Sequence, residues 1–433
     1  MFAYYLALAL RSLGRNKVLT ALMVLAIGLG IGASMTMITV LHVMSGDPLP
    51  GRSAQLYYVH LDTNASSQAR TAHPHASDNL TWPDALNLLQ AHRAPRQAAM
   101  AGAGLALQPS DSSQLPMLAS GHYVTADFFQ MFGAPFGAGG GWTAMQDQQR
   151  ARVIVLSQAL NQKLFGNAPG IGKIVRLKDA DFRVIGVLRD WHPQPAFYAD
   201  LSYSGFSKPD QFFLPLQTAL DMKLRFNGSL SCHGDGGDDR LSDRCTWLQF
   251  WVQLNEPAQV TAYRQFLADY WSQQKSQGRS HLGLSPQLYG LMDWLTYKNV
   301  VPGDVRLQLW LALGFLLVCM VDIVGLLLAK FLRRSAEISV RRALGARRRD
   351  IFSQFGIESA VIGLVGGVLG VLIAELGLWS VRQRPDSYAQ LAQMDGSMLL
   401  GTVLLALGAS VLAGLLPAWR ACRIVPALQL KTQ

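Results

Sequence analysis

The residues best equipped for chemistry are Cys232 and Cys245, at the two ends of the stretch CHGDGGDDRLSDRC. Two thiols bracketing a glycine-rich loop can close as a disulfide, worth roughly 3 kcal/mol for a loop of this size in the chain-entropy account. The rival is a metal site drawing on Cys232, His233, Asp235 and Cys245, because thiolate, imidazole and carboxylate all bind divalent metals. The acids would also suit Ca2+, but the EF-hand ligand spacing is absent. His73 and His75 form a second metal-like pair, which in a polar loop reads as plain surface. Phosphate chemistry is poorly supported. Gly137–Gly141 (GAGGG) does not open a helix after a strand, so it reads as a flexible turn. At Gly172-Lys173 the Walker A pattern fails, because Asn167 stands where glycine is needed and Ile174 follows the lysine. No nucleophile–base arrangement or zincin motif is visible, so neither a catalytic residue, a resident metal nor a cofactor is expected.

The elements that position these residues follow from composition. Half of the chain is hydrophobic and 15% is charged, against about 25% charged in a typical soluble domain. Four apolar runs long enough to cross a bilayer occupy 18–44, 307–332, 355–380 and 398–419. The first could be taken for a cleavable signal peptide, but it is longer than a usual h-region and lacks a clear small-residue cleavage site. The net charge of +10 would suit nucleic acid if clustered on a soluble face. Instead, eight basic residues fall between Lys330 and Arg349, directly after an apolar run. This is the positive-inside pattern, and it excludes nucleic acid as the expected partner.

The basic clusters agree on one topology. Arg11, Arg15 and Lys17 make 1–17 a cytoplasmic segment. The stretch 333–354 and the tail 420–433 are cytoplasmic too, whereas 45–306 and the short loop 381–397 lie outside. Outside the cytoplasm disulfides persist, so Cys232–Cys245 is expected to be bonded. Within the runs, Gly28/Gly32, Gly363/Gly367 and Gly366/Gly370 are GxxxG pairs, which let membrane helices approach closely. Asp322 lies inside the second run. A carboxylate at that depth is costly, and the plain reading pairs or protonates it against a neighbouring helix.

The outer block reads as mixed α+β, large enough for two subdomains. Strands are expected at Gln55–Asp62, Arg152–Leu156, Ile174–Leu177, Phe182–Leu188, Gln211–Leu216 and Trp247–Leu254. Helices are expected at Trp82–His92 with Thr81 as N-cap, at Ser157–Phe165, and at Ala258–Lys275.

The loop after the second run has Arg341 and Arg348, and Arg342 and Arg349, each seven apart, while Ala336, Val340 and Leu344 line an apolar stripe. Such an element can be a solvated connector, lie on anionic lipid or dock into a partner's groove. The stretch AEISVRRALGARRRDIFSQFGIES resembles the coupling segment of the MacB/FtsX-like permeases. There, an A/E-I-x-x-R-[KR]-A-L-G-A run precedes R-x-x-I and a Glu opening the third span. Glu337, Arg341, Arg342, Ala343, Leu344, Gly345, Ala346 and Glu358 match position by position. LLPAWRACRIVPALQL resembles the family's terminus through Leu416, Pro417, Ala418, Arg420, Ala421 and Pro426. GHYVTADFFQMFGAPFGAG and VIVLSQALNQKLFGNAPGIGKIVRL, followed by FRVIGVL, resemble its periplasmic core signatures.

The resemblance implies a bacterial inner-membrane protein: four transmembrane α-helices, with a large α+β periplasmic domain of two subdomains inserted between helices 1 and 2. It implies a permease subunit of a mechanotransmission transporter, with Glu337, Val340, Arg341, Arg342, Leu344, Gly345 and Ala346 as the ATPase-coupling surface. The fused ATPase of the macrolide exporter that names the group is not expected, so ATP would be bound by a separate cytoplasmic ABC ATPase. Further implied partners are a second copy or similar permease, a periplasmic adaptor, an outer-membrane channel and lipid. The work would be efflux of a drug, peptide or other periplasmic substrate, or lipoprotein release. The alternative is an FtsX-like regulator that activates a periplasmic enzyme without transport. Related permeases carry Asn where this sequence has Asp322, and the Cys232–Cys245 insert is not a family hallmark.

Overall fold

The computed structural model describes residues 11, 17–61, 78–109, 115–166, 168, 170–202, 205–232, 239–279, 285–333, 345, 347–383 and 391–423. They form two compact units, one from the chain up to Met44 and from Val301 onward, the other spanning Ser45–Val300. Helix α1 (Lys17–Ser45) leads into the second unit.

The Ser45–Val300 unit holds one twelve-stranded sheet. Its strands are β1 (Leu56–His60), β2 (Leu80–Thr81), β3 (Arg96–Pro109), β4 (Met117–Val124), β5 (Phe136–Gly139), β6 (Val153–Ser157), β7 (Ile174–Leu177), β8 (Ala180–Leu188), β9 (Phe212–Pro215), β10 (Ser231–Cys232), β11 (Cys245–Gln253) and β12 (Gln287–Gly290). Its helices are α2 (Trp82–Ala91), α3 (Phe128–Phe132), α4 (Ala144–Gln148), α5 (Gln158–Phe165), α6 (Leu216–Asp221), α7 (Pro257–Ser276) and α8 (Leu291–Tyr297). Caps fix several starts: Thr81 accepts from the Asp84 amide and Ser157 from the Leu160 amide, each satisfying an orphan donor of the first turn.

Two subdomains share β3. At one end β12, β1, β11 and the first half of β3 form an antiparallel sheet. One of its faces buries Val59, Phe250 and Val252 in the same core as Leu88 of α2 and Leu267 and Trp271 of α7. At the other end the pairings run β3–β4–β9–β6–β8–β7 and return to β3, so the strands close on themselves. Alternate residues along this ring (Ala103, Leu105 and Leu107 of β3, Val175 and Leu177 of β7, Phe182 and Val184 of β8, Ile154 and Leu156 of β6) are buried in one core. That is the period-2 pattern of strands with one face inward. A Cβ at Gly121 of β4 would overlap the Phe212 carbonyl of β9, so only glycine admits this strand pair at its observed spacing. The GAGGG stretch is not a free turn: Gly137–Gly139 belong to β5, which pairs β8 at the sheet edge.

The other unit adds α9 (Gly303–Leu332), α10 (Arg348–Arg382) and α11 (Gly396–Arg423) to α1. All four helices are long and apolar enough to cross a membrane. The GxxxG pairs set their packing. A Cβ on Gly28 or Gly32 of α1 would approach Leu369 or Ile373 of α10 to 2.8 or 2.7 Å, and one on Gly366 of α10 would approach Ile27 of α1 to 2.6 Å. Gly367, on another face of α10, meets Ala406 of α11 in the same way, at 2.8 Å. Hydroxyls also bond between helices: Ser34 of α1 donates to the Ala312 carbonyl of α9 (3.1 Å) and Ser410 of α11 to the Ser359 carbonyl of α10 (2.8 Å). Small residues and interhelical hydrogen bonds are what hold helices together in lipid.

Candidate functional site

The segment expected to meet an ATPase joins α9 to α10, and the described residues bracket it. Lys330, near the end of α9, places Nζ 2.5 Å from Oε1 of Glu358 on α10; both side chains have 0% exposure. Isolated, either charge would be very costly to bury, and the pairing offsets part of that cost. The pair lies among apolar neighbours from three helices: Ile323 and Leu327 of α9, Ile351, Phe355 and Ile362 of α10, and Ala406 and Ala413 of α11 share one core. At the segment's far end the Asp350 carboxylate accepts from the Arg347 amide at 3.1 Å, capping α10. An acid in the first turn also opposes the helix dipole favourably.

Of the residues expected to form the coupling surface, Gly345 is described. It is exposed with φ +99°, and nothing lies within 4 Å of a Cβ built there. A positive φ is glycine territory, so Gly345 marks a sharp bend before α10. Glu337, Val340, Arg341, Arg342, Leu344 and Ala346 lie outside the described residues.

Asp322 is exposed on α9 and has no hydrogen bond or ion pair among the described residues. Leu311, Phe315, Val318, Asp322, Gly325 and Ala329 recur at alternating steps of four and three and are all exposed. That spacing keeps to one face of a helix, so Asp322 belongs to an outward stripe.

In the large domain Cys232 of β10 stands directly opposite Cys245 of β11, and the two are bonded as a disulfide. His233, Asp235, His73 and His75 lie outside the described residues, among which no group of three His, Cys, Asp or Glu could hold a metal. Three carboxylates that no sequence pattern singles out, two of them buried and one partly buried, organise this domain instead. Asp78 receives Lys298 at 2.8 Å and His60 at 3.2 Å. Burial pushes the Asp78 carboxyl up, but the His60 hydrogen bond and the Lys298 charge outweigh it and hold it below the usual carboxylate range. Asp84 takes the Arg279 guanidinium on both oxygens, at 2.5 and 2.9 Å, and Asp210 is shared by His122 and Tyr198, each at 2.8 Å. These pairings join residues up to 220 positions apart, so no local motif announces them.

Two family models match the chain: the MacB-like periplasmic core domain over residues 20–270 and the FtsX-like permease C-terminal over residues 310–426. The macrolide export ATP-binding/permease protein MacB of Salmonella typhi is 28% identical over 262 residues, 58% of this chain and 34% of that protein. The protein of the same description from Bdellovibrio bacteriovorus is 24% identical over 290 residues, 65% of this chain and 39% of that one. The chain therefore spans well under half the length of these curated relatives. Among solved structures, the periplasmic region of MacB from Actinobacillus actinomycetemcomitans aligns at TM-score 0.38 and 16% identity, covering 59% of this chain and 96% of that one. The extracellular domain of the ABC-type transporter YknZ from Gram-positive bacteria aligns at TM-score 0.36 and 15% identity, covering 54% of this chain and 99% of that one.

Proposed function

Because this chain belongs to the MacB-like and FtsX-like permease family, we propose that it is the permease subunit of an ABC-type transporter that transmits mechanical work to the periplasm. The observation that carries this reading is the buried Lys330–Glu358 pair. It ties α9 to α10 beside the segment that would dock on an ATPase. A displacement of that segment then moves two helices together instead of being absorbed between them.

In this reading a separate cytoplasmic ATPase binds ATP. Arg341 and Arg342 face acidic groups on its surface, Glu337 faces a basic one, and Val340 and Leu344 are buried between the two proteins. Gly345 and Ala346 leave room for the approach. Both termini are cytoplasmic, and the Ser45–Val300 domain works in the periplasm with an adaptor and an outer-membrane channel. A second copy of the permease, or a similar one, packs along the outward α9 stripe. There Asp322 leaves lipid, as an intramembrane carboxylate should.

The test reconstitutes the permease with its ATPase in lipid nanodiscs and compares ATPase rate with and without the permease's periplasmic partner. Gly345→Pro, and separately Arg341→Glu with Arg342→Glu, should lower partner-dependent ATPase stimulation at least tenfold while thermal unfolding is unchanged. Full stimulation in both variants would remove the coupling surface from this segment.

A further inference from the structure

An open cavity of about 810 Å3 lies in the large domain, beside the turns before α3 and α4. Its volume is within the range of small-molecule sites. The floor is aromatic: Phe129 meets Trp142 edge to face at 5.0 Å and Phe136 at 5.3 Å. Trp142 is 3% exposed, and its indole Nε1 is buried with no acceptor among the described residues. An indole N–H can only donate, and leaving a buried donor unpaired costs about 1–3 kcal/mol.

The wall carries two guanidiniums, Arg52 and Arg96, which face no carboxylate partner among the described residues. Arg52 donates to the Gln130 carbonyl at 3.2 Å. Arg96 donates to Oε1 of Gln253 at 3.1 Å and, less directly, to Oε1 of Gln130 at 3.4 Å. These amide oxygens orient the side chains without neutralising them. The one acid lining the cavity, Asp127, is engaged by the Gln97 amide at 3.1 Å. The result is two planar cations beside a cluster of edge-to-face and tilted rings. A guanidinium fork matches a carboxylate or phosphate in two parallel hydrogen bonds.

We propose that this groove binds a small amphipathic acid, with its carboxylate or phosphate on Arg52 and Arg96 and its apolar body on Phe129, Phe136 and Trp142. The site stands independently of any ATPase, so failure of the coupling experiment leaves it untouched.

The experiment is calorimetric titration of the full chain in nanodiscs, with empty nanodiscs subtracted. The probes are 1-naphthyl phosphate, 1-naphthoate, the neutral 1-naphthalenemethanol and the cationic 1-naphthylmethylammonium. At least one anion should bind saturably at one site per chain. The alcohol should bind at least tenfold more weakly and the cation not at all. The ranking of the two anions identifies the headgroup, phosphorylated or carboxylic. Arg52→Gln with Arg96→Gln should weaken anion binding at least tenfold and Trp142→Phe about threefold, while Arg150→Gln, an exposed pair elsewhere, should change nothing. If the double variant does not fold, Gly140→Trp decides: a side chain there starts in open space at the cavity wall, so it should abolish binding and keep the unfolding temperature. Anion binding that survives Gly140→Trp, or that the alcohol or cation equals, overturns the proposal.

Discussion

In the large domain the fully buried side chains are big. Trp247, Trp251, Tyr58, Tyr123, Phe128, Phe182 and Phe213 lie inside, and rings contact one another, as Trp251 does with Tyr58 at 5.3 Å and Phe197 at 5.2 Å. In the membrane unit the arrangement is inverted. Glycines occupy the closest helix contacts, while Trp310 is 70% and Leu311 65% exposed. Water drives apolar area inward at about 25 cal/mol per Å2. Lipid supplies no such drive between helices, so stability must come from close approach and polar pairing.

The largest contrast is expected at tryptophan and phenylalanine. Trp251→Ala should destabilise the large domain by about 3–5 kcal/mol, seen as loss of its unfolding transition. Phe315→Ala, at a side chain 46% exposed on α9, should leave the unfolding of the isolated permease unchanged. A matching loss at Phe315 would break the comparison. Next comes charge. Lys330→Met removes the buried cation beside Glu358 and should cost about 3–5 kcal/mol, whereas the double change with Glu358→Leu should recover most of it. The check is unfolding in denaturant by both single variants and the pair.

A pH effect sharpens the difference further. Burial raises the Asp147 carboxyl to about 7, with the Ala126 and Gln217 amides pulling the other way. Its unfolded value is about 3.9, so between these values the folded state holds a proton that the unfolded chain releases. The contribution of Asp147 to the large domain's stability is then full below about pH 4, and up to about 4 kcal/mol of it is lost as pH rises towards 7. Asp147→Asn should remove that slope, measured by thermal unfolding across the window. The smallest effect separates two glycines. Gly366→Val would force a side chain against Ile27 and should cost about 1–3 kcal/mol. Gly325→Val, with open space at its Cβ, should leave the helix bundle intact and weaken only self-association, read by crosslinking.

The four spans were legible because a run of about 20 apolar residues is the length a bilayer demands and more than one core helix usually buries on every side. Caps were legible too: Thr81 and Ser157 begin helices as their hydroxyls suggest. The long hairpin of β3 and β4 was not. Its inward positions Ala99, Ala101 and Ala103 are small, and alternation among alanines and glycines is a faint strand signal. Spacing and resemblance single out the segment between α9 and α10, but the Lys330–Glu358 ion pair was not visible in them. Lys330 reads as one more member of a basic cluster until two helices are seen in contact. The acid-binding groove is harder still, because Arg52, Arg96 and Trp142 come from three separate stretches of chain.

The contact between Gly28 of α1 and Leu369 of α10 has a consequence for biosynthesis. Roughly 340 residues are made between the two, which takes about 15–70 s at ribosomal speeds of about 5–20 residues per second. For that interval α1 sits in the bilayer without its partner. Two of its hydroxyls have acceptors within the helix itself: Ser34 can donate to the Gly30 carbonyl (2.8 Å) and Thr36 to the Gly32 carbonyl (2.9 Å). The first helix can therefore wait in lipid with these two donors covered, and its glycine face stays vacant until α10 is threaded beside it.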